Sequence, residues 1–356
     1  DHEWDNPGPD ARSDGLAFFN AGSDLIYAGV HLGMNADDEG ASLWAARLFE
    51  RFVVGRDKTT HIMPSASVRQ AHRERGKAQF NFPNAYEPNL YILYIPEGVI
   101  AHNDHAMLRL AERLEKAGHK EASRKMLLPL CEHLIGYAKY AYVPDRNVFK
   151  PIITDGTDLT GYKLPKDGYF GPKGAVMEPV PAGVEFLPTY ALASRLCEDE
   201  VVWQTLRGLC KGNGLGDIGE NPGKKPHFDY SFTGPYPRVV FAMMEIFKAT
   251  RDEEYLKFAE HVCQNILRKR FHPDSGLFTL DADLLACHLD CYEPLAMLTV
   301  AAAKHNNLDS IPSGDAGGSY QWSQNKILSG YSKKVARPDV RPFVLRRDGE
   351  RKKTLQ

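Results

Sequence analysis

The chain has 356 residues, 43% of them hydrophobic and 25% charged, with a formal net charge of −2. That balance supplies ample apolar surface for a large core and excludes the cationic excess of a nucleic-acid binder or a membrane-surface protein. No run approaches the roughly 20 consecutive apolar residues of a membrane span. The chain begins at Asp1 with neither an initiator Met nor a signal peptide, so a processed form or a fragment is expected, and periplasmic, secreted and cytoplasmic addresses all stay open.

The first five residues, DHEWD, gather His2, Glu3 and Asp5, the side chains that a metal or a proton-transfer site requires. SDGLAFFNAGSDLIYAGVHLG then reads as a buried helix carrying Asp24, Tyr27 and His31. Tyr27 and His31 are four apart and share a face, and a satisfied core histidine is the simpler reading of His31. In GMNADDEGASLWAARLFERFV an acidic turn precedes an amphipathic helix with Trp44, Leu48 and Phe52 in a stripe.

SVRQAHRERGKAQF is basic, and its Arg69 and Arg73 offer planar forks for a carboxylate if they line a cleft rather than a solvated loop. AHNDHAMLRL holds His102, Asp104 and His105. It opens a helix, so capping by Asn103 or Asp104 is simpler than metal binding.

The acidic-turn pattern recurs. SRLCEDEVVWQTLRGLCKG and FKATRDEEYLKFAEHVCQNIL repeat it, and LEKAGHKEASRKMLLPLCEHLIGYAKY is a looser copy. In each, one helix ends, the chain turns within a few residues, and acidic side chains suit the next helix's N-terminus. VGRDKTTHIMP, YVPDRNVFKP and RFHPDSGLFT recur after the second helices as equivalent exits. Repeated hairpins without β-α alternation predict a mostly α fold, either an open solenoid or a closed (α/α) toroid. Long Gly/Pro/Tyr-rich segments at Thr154–Pro181, Gly212–Pro237 and Asp281–Pro294 favour the toroid, with those loops lining a cleft. The expected organisation is a toroid over 1–330 and a basic tail or small β extension over 331–356.

TDGTDLTGYKLPKDGYFGPKGAVMEPVP is the richest of these loops. It carries Asp155, Asp158, Tyr162, Tyr169 and Lys173 on a glycine and proline frame. Further along, Tyr236 and Arg238 flank Pro237, and His288 lies among Asp281, Asp283, Asp290 and Glu293 before an apolar helix. KGNGLGDIGENPG matches the G-x-G-x-x-G spacing of a dinucleotide fingerprint. It follows a helix and runs into prolines, so no nucleotide site is expected. The six cysteines, scattered among apolar residues, read as buried free thiols.

DHEW, FFNAGSDLIYAGVHL, ITDGTDLTGY, DGYFGPKG, KGNGLGDIG, RFHPDSGLF and HLDCYEPLAMLTVAAA stand in this order from Asp1 to about Gln321. Together they resemble bacterial helical-toroid pectate lyases, the nearest named group being polysaccharide lyase family 2. The resemblance implies an (α/α) toroid that cuts polygalacturonate or a related uronan by β-elimination. It also implies an arginine base, a lysine beside the substrate, and a divalent metal (Mn or Ca) held by two His and a Glu.

Members of that family are longer than this chain, and the Arg-His dipeptide that supplies base and ligand is absent here. On this resemblance His2 falls to the metal or base region, with Glu3 beside it, and Lys173 is the substrate-side cation. Tyr169 is a proton-transfer group on chemical grounds, since a phenol near a cation ionises more readily. Asp155, Asp158, Tyr162, Arg69, Arg73, Tyr236, Arg238 and His288 are candidate substrate contacts, and the expected partner is an acidic oligo- or polysaccharide. Two rival readings are a toroid glycoside hydrolase acting on uronic-acid oligosaccharides through paired carboxylates, and a non-catalytic helical-repeat carbohydrate-binding protein.

Overall fold

The computed structural model describes residues 17–36, 38–64, 66–67, 92–93, 97–165, 171–273, 275–279 and 292–311. The chain divides into two compact units, with the boundary between Asn213 and Gly214. As the repeats predict, the fold is mostly α, of the (α/α)-hairpin class expected for a toroid.

The first unit contains helices α1 (Phe19–Ala36), α2 (Glu39–Val54), α3 (His105–Lys116), α4 (Lys120–Ala141), α5 (Leu187–Cys197) and α6 (Glu200–Gly212). They pack as consecutive pairs, α1 on α2, α3 on α4 and α5 on α6. The second unit pairs α7 (Pro237–Thr250) with α8 (Glu253–Arg270), and α9 (Glu293–Lys304) packs on both. Short connections force each pair antiparallel.

The acidic turns act as expected. Asp38 accepts from the Ala41 N–H, Asp199 from Val201 and Asp252 from Glu254, each satisfying a donor that the helix itself leaves open. The looser fourth copy lacks this device, and His119 starts α4 without a side-chain cap. Two of the three exit loops close as hairpins, Tyr142–Val143 with Val148–Phe149, which also pairs with Val180–Pro181, and Phe271–His272 with Leu277–Phe278. The stripe on α2 holds at Leu48 and Phe52 but not at Trp44. Ala45, Leu48, Phe49 and Phe52 are buried, whereas Trp44 is 47% exposed.

In the dinucleotide-like run, α6 does precede the glycines. Gly214, Gly216 and Gly219 have φ of +76°, +92° and +93°, and the run pairs Gly216–Asp217 with His227–Phe228 rather than opening a helix.

The core of the first unit centres on Phe149, whose ring lies 5.2 Å from Tyr137, 5.3 Å from Tyr142 and 4.7 Å from Phe186. Beneath it runs a buried polar seam. A π-helical segment, Glu97–Asp104, leads directly into α3. Asp104 has helical backbone angles and makes no capping hydrogen bond, which corrects the capping role expected for it. It is fully buried, and its Oδ2 lies 3.2 Å from Nε2 of His133 on α4. Nδ1 of His133 accepts from the Met63 backbone N–H at 2.9 Å, so the imidazole proton falls on Nε2, facing the carboxylate. The Thr60–Pro64 segment can lie this close to α4 because residue 136 is glycine. A Cβ there would stand 2.0 Å from the Thr60 carbonyl oxygen. Burial raises the pKa of Asp104 and His133 opposes the rise; burial and then Asp104 push the Tyr190 phenol well up.

The cysteine expectation needs correction. Cys131 on α4 and Cys197 at the end of α5 form a disulfide across 66 residues. The packing of α5 on α4 brings their Cα atoms to 5.7 Å, which spacing along the chain could not reveal. Among the described residues Cys210 and Cys263 are buried and take part in no disulfide.

Two tests follow from the core. Replacing both Cys131 and Cys197 by Ser removes a long-loop constraint and should cost roughly 2–4 kcal/mol in urea denaturation; under reductant the wild type should fall to the variant's level. Asp104 has a folded pKa above its unfolded value, so its contribution to stability is fully present below the unfolded pKa and is lost as pH rises through the folded one. Asp104→Asn removes that loss. The variant should gain on the wild type as pH rises from about 4 towards 7, read from denaturant midpoints at each pH.

Candidate active site

Helix α3 is buried along Met107, Leu108, Leu110, Ala111 and Leu114, so its remaining face is left to polar groups. On that face Glu112 receives Arg109 at 2.8 Å, Arg195 of α5 at 2.9 Å and Lys116 at 3.4 Å. One carboxylate thus ties α3 to α5, and its charge-assisted bonds to Arg109 and Arg195 have little solvent around them, whereas Lys116 is exposed.

One residue further on, Arg113 reaches α1. Its Nη1 donates to the Tyr27 hydroxyl and lies 3.0 Å from Nε2 of His31. The guanidinium also sits 5.5 Å from the centre of the Tyr27 ring, and the Tyr27 and His31 rings are 4.5 Å apart. Arginine can only donate, so His31 Nε2 must accept and the imidazole is neutral. Burial, and then the Arg113 charge, lower its pKa from the ordinary histidine value. All three side chains are half-buried.

A neutral imidazole with a lone pair, a phenol and a fixed cation stand together here. This corrects the reading of His31 as a plain core residue. The i, i+4 pairing of Tyr27 and His31 was visible in the chain; the arrival of Arg113 from a helix more than 80 residues away was not.

The other expected site residues have varied placements. Lys173 is exposed on a hairpin in which Lys163 bridges Val176. Tyr162 is half-buried in the same hairpin, its carbonyl accepting from Met177 N–H at 2.9 Å. Asp155 accepts from the Thr157 N–H at 2.9 Å. Asp158 accepts from the Thr160 N–H at 2.8 Å and pairs with Lys150 at 3.1 Å. Both carboxylates therefore shape turns; burial pushes the Asp158 pKa up, but the Thr160 bonds and Lys150 together outweigh it and hold it below the ordinary carboxylate value.

In the second unit Tyr236 precedes α7 and is 40% exposed, with Arg238 in the helix's first turn. His2, Glu3, Arg69, Arg73, Tyr169 and His288 lie outside the described residues. Among the described residues no three His, Cys, Asp or Glu side chains gather as metal ligands, so the implied divalent metal finds no fitting site there. No described helix is long and apolar enough to cross a membrane.

Comparison with known proteins adds the family. A pectate disaccharide-lyase from Dickeya dadantii (strain 3937) is 25% identical over 327 residues, covering 88% of this chain; the chain spans 57% of that relative's length. Two solved structures are similar at low identity. Cellobiose 2-epimerase from Bacillus thermoamylovorans B4167 gives a TM-score of 0.46 at 11% identity, over 84% of this chain and 75% of that one. A sugar epimerase from a ruminal bacterium gives 0.43 at 13% identity, over 91% and 78%. The model of the periplasmic pectate lyase family matches residues 1–323, and the chain belongs to that family.

Proposed function

We propose that this protein cleaves pectate or a related uronan by β-elimination, with Arg113, His31 and Tyr27 at the reacting centre. The observation that carries this reading is the shared guanidinium, which donates to the Tyr27 hydroxyl and lies 3.0 Å from His31 Nε2. Family membership supports the reaction class.

Elimination needs a cation on the uronate carboxylate, because the C5 proton is acidic only when charge developing on that group is stabilised. A carboxylate arriving at Arg113 takes the N–H now directed at His31. The released Nε2 lone pair then accepts the C5 proton. The C5–H electron pair forms the C4–C5 double bond, the C4–O bond breaks, and the departing oxygen takes a proton from the Tyr27 hydroxyl. His31 suits the role of base because it is neutral at neutral pH. Lys173, exposed on its hairpin, is a second cation for the substrate. No step is routed through a metal. The Cys131–Cys197 disulfide fits an oxidising compartment such as the periplasm.

The test is incubation with polygalacturonate, with Ca²⁺, with Mn²⁺ and with EDTA, while following ultraviolet absorbance of the unsaturated product and new reducing ends. Both should rise together. Reducing ends without absorbance would sink the lyase reading in favour of hydrolysis. His31→Gln should lower kcat about 10²–10⁴-fold, the usual worth of a positioned proton acceptor. Arg113→Lys, which loses the planar fork, should lower kcat/KM by a similar order, and Lys173→Ala should slow turnover with the fold intact. Near-wild-type rates in any of these variants remove that residue from the site.

A further inference from the structure

The second unit carries an aromatic surface that the elimination chemistry does not use. Its base is buried. Phe258 on α8 is fully inside, stacked on Phe228 at 4.3 Å, and Tyr255 meets Phe228 edge-on at 5.6 Å. Tyr230 stands on top, edge-on to Phe258 at 5.6 Å and to His261 at 5.3 Å, yet 47% of it is exposed. Tyr236, 40% exposed, lies 6.2 Å from Phe232.

The loop presenting these rings is fixed by polar bonds at several points. The Phe232 carbonyl accepts from Asn265 Nδ2 at 2.9 Å and from His261 Nε2 at 2.8 Å. Asp229 accepts from the Ser231 N–H at 2.9 Å and the Ser231 hydroxyl at 2.6 Å, and its own N–H donates to Leu215 at 3.0 Å. Gly234 lets the rings close over the backbone, since a Cβ there would lie 2.4 Å from Phe232 and 2.5 Å from Tyr236. The platform is therefore ordered before any ligand arrives, which spares a ligand the entropy of ordering it.

A rigid Tyr ring with an exposed face suits the apolar face of a sugar ring. Charge narrows the choice of sugar. Lys257 lies on α8 between Glu254 and His261, 58% exposed; burial and then the Glu254 charge raise the Tyr230 pKa, and the Lys257 charge opposes them. It pairs with Glu254 at 2.6 Å, but as an exposed pair it exchanges readily for another carboxylate. We infer that Tyr230 and Tyr236 form a secondary subsite for a uronic-acid residue of the polymer, with the ring on the tyrosine faces and the carboxylate on Lys257. This inference rests on the uronan reading above.

The experiment measures binding of the full chain to polygalacturonate and to neutral galactan, by retardation in native gels and by calorimetry with trigalacturonate. Tyr230→Ala should weaken polygalacturonate binding about 10-fold. Tyr230→Phe, which keeps the ring, should bind as wild type, and Lys257→Gln should lose affinity for the uronan. Thermal midpoints of the variants guard against misfolding.

Unchanged affinity in Tyr230→Ala overturns the subsite, as does a Tyr230→Phe variant as weak as Ala. Tyr230-dependent binding of galactan with none of polygalacturonate overturns the uronate assignment. The two proposals separate cleanly. Elimination with Tyr230→Ala binding as wild type leaves the lyase reading and removes the subsite. Tyr230-dependent binding of polygalacturonate without any unsaturated product keeps the subsite and removes the lyase reading.

Discussion

Arg113 is held between a phenol and an imidazole of α1, on a helix whose opposite side is committed to the core. An exposed arginine loses much rotamer freedom when fixed, and it stays in one place only if its helix does. Here α3 is fixed by its apolar stripe and by the Glu112 carboxylate, which takes Arg109 and Lys116 from the same helix and Arg195 from α5. Because the guanidinium always donates, it adds to burial in keeping His31 neutral. The chemistry available at this surface, a cation beside a neutral base, follows from how one helix is packed.

The same helix begins at an expensive place. Asp104, where the π-helical segment meets α3, is a buried carboxylate facing Nε2 of His133, whose Nδ1 is taken up by the Met63 backbone N–H. Burying a carboxylate in this way opposes folding unless the surrounding structure over-determines it. The Cys131–Cys197 crosslink and the aromatic core around Phe149 supply such surroundings. Irregular helical turns of this kind often stand at functional sites, and this one packs against α1, the helix that carries Tyr27 and His31.

Much of the architecture was legible in the chain. Acidic turns before amphipathic stripes placed α2, α6 and α8, and the caps at Asp38, Asp199 and Asp252 operate as their positions implied. Proline-rich context was enough to separate the G-x-G-x-x-G run from a nucleotide fingerprint. The failures share a cause. Asp104 looked like a cap because capping is a local habit of Asp, and only the approach of α4 turned it towards His133. Trp44 fitted the α2 stripe by spacing, but the helix faces its partner along Ala45, Leu48, Phe49 and Phe52.

The sequence by itself determined which segments are helical, where they start and how they pair, because spacing, capping and short turns act between residues a few positions apart. It also carried the family, since ordered motifs survive along a chain. Only the tertiary structure decided which side chains meet. Arg113 and Tyr27 are 86 residues apart, Cys131 and Cys197 are 66 apart, and Tyr230 reaches α8 from a separate loop. Those contacts depend on helix orientations fixed by the summed packing of many apolar residues, a quantity that no local pattern contains.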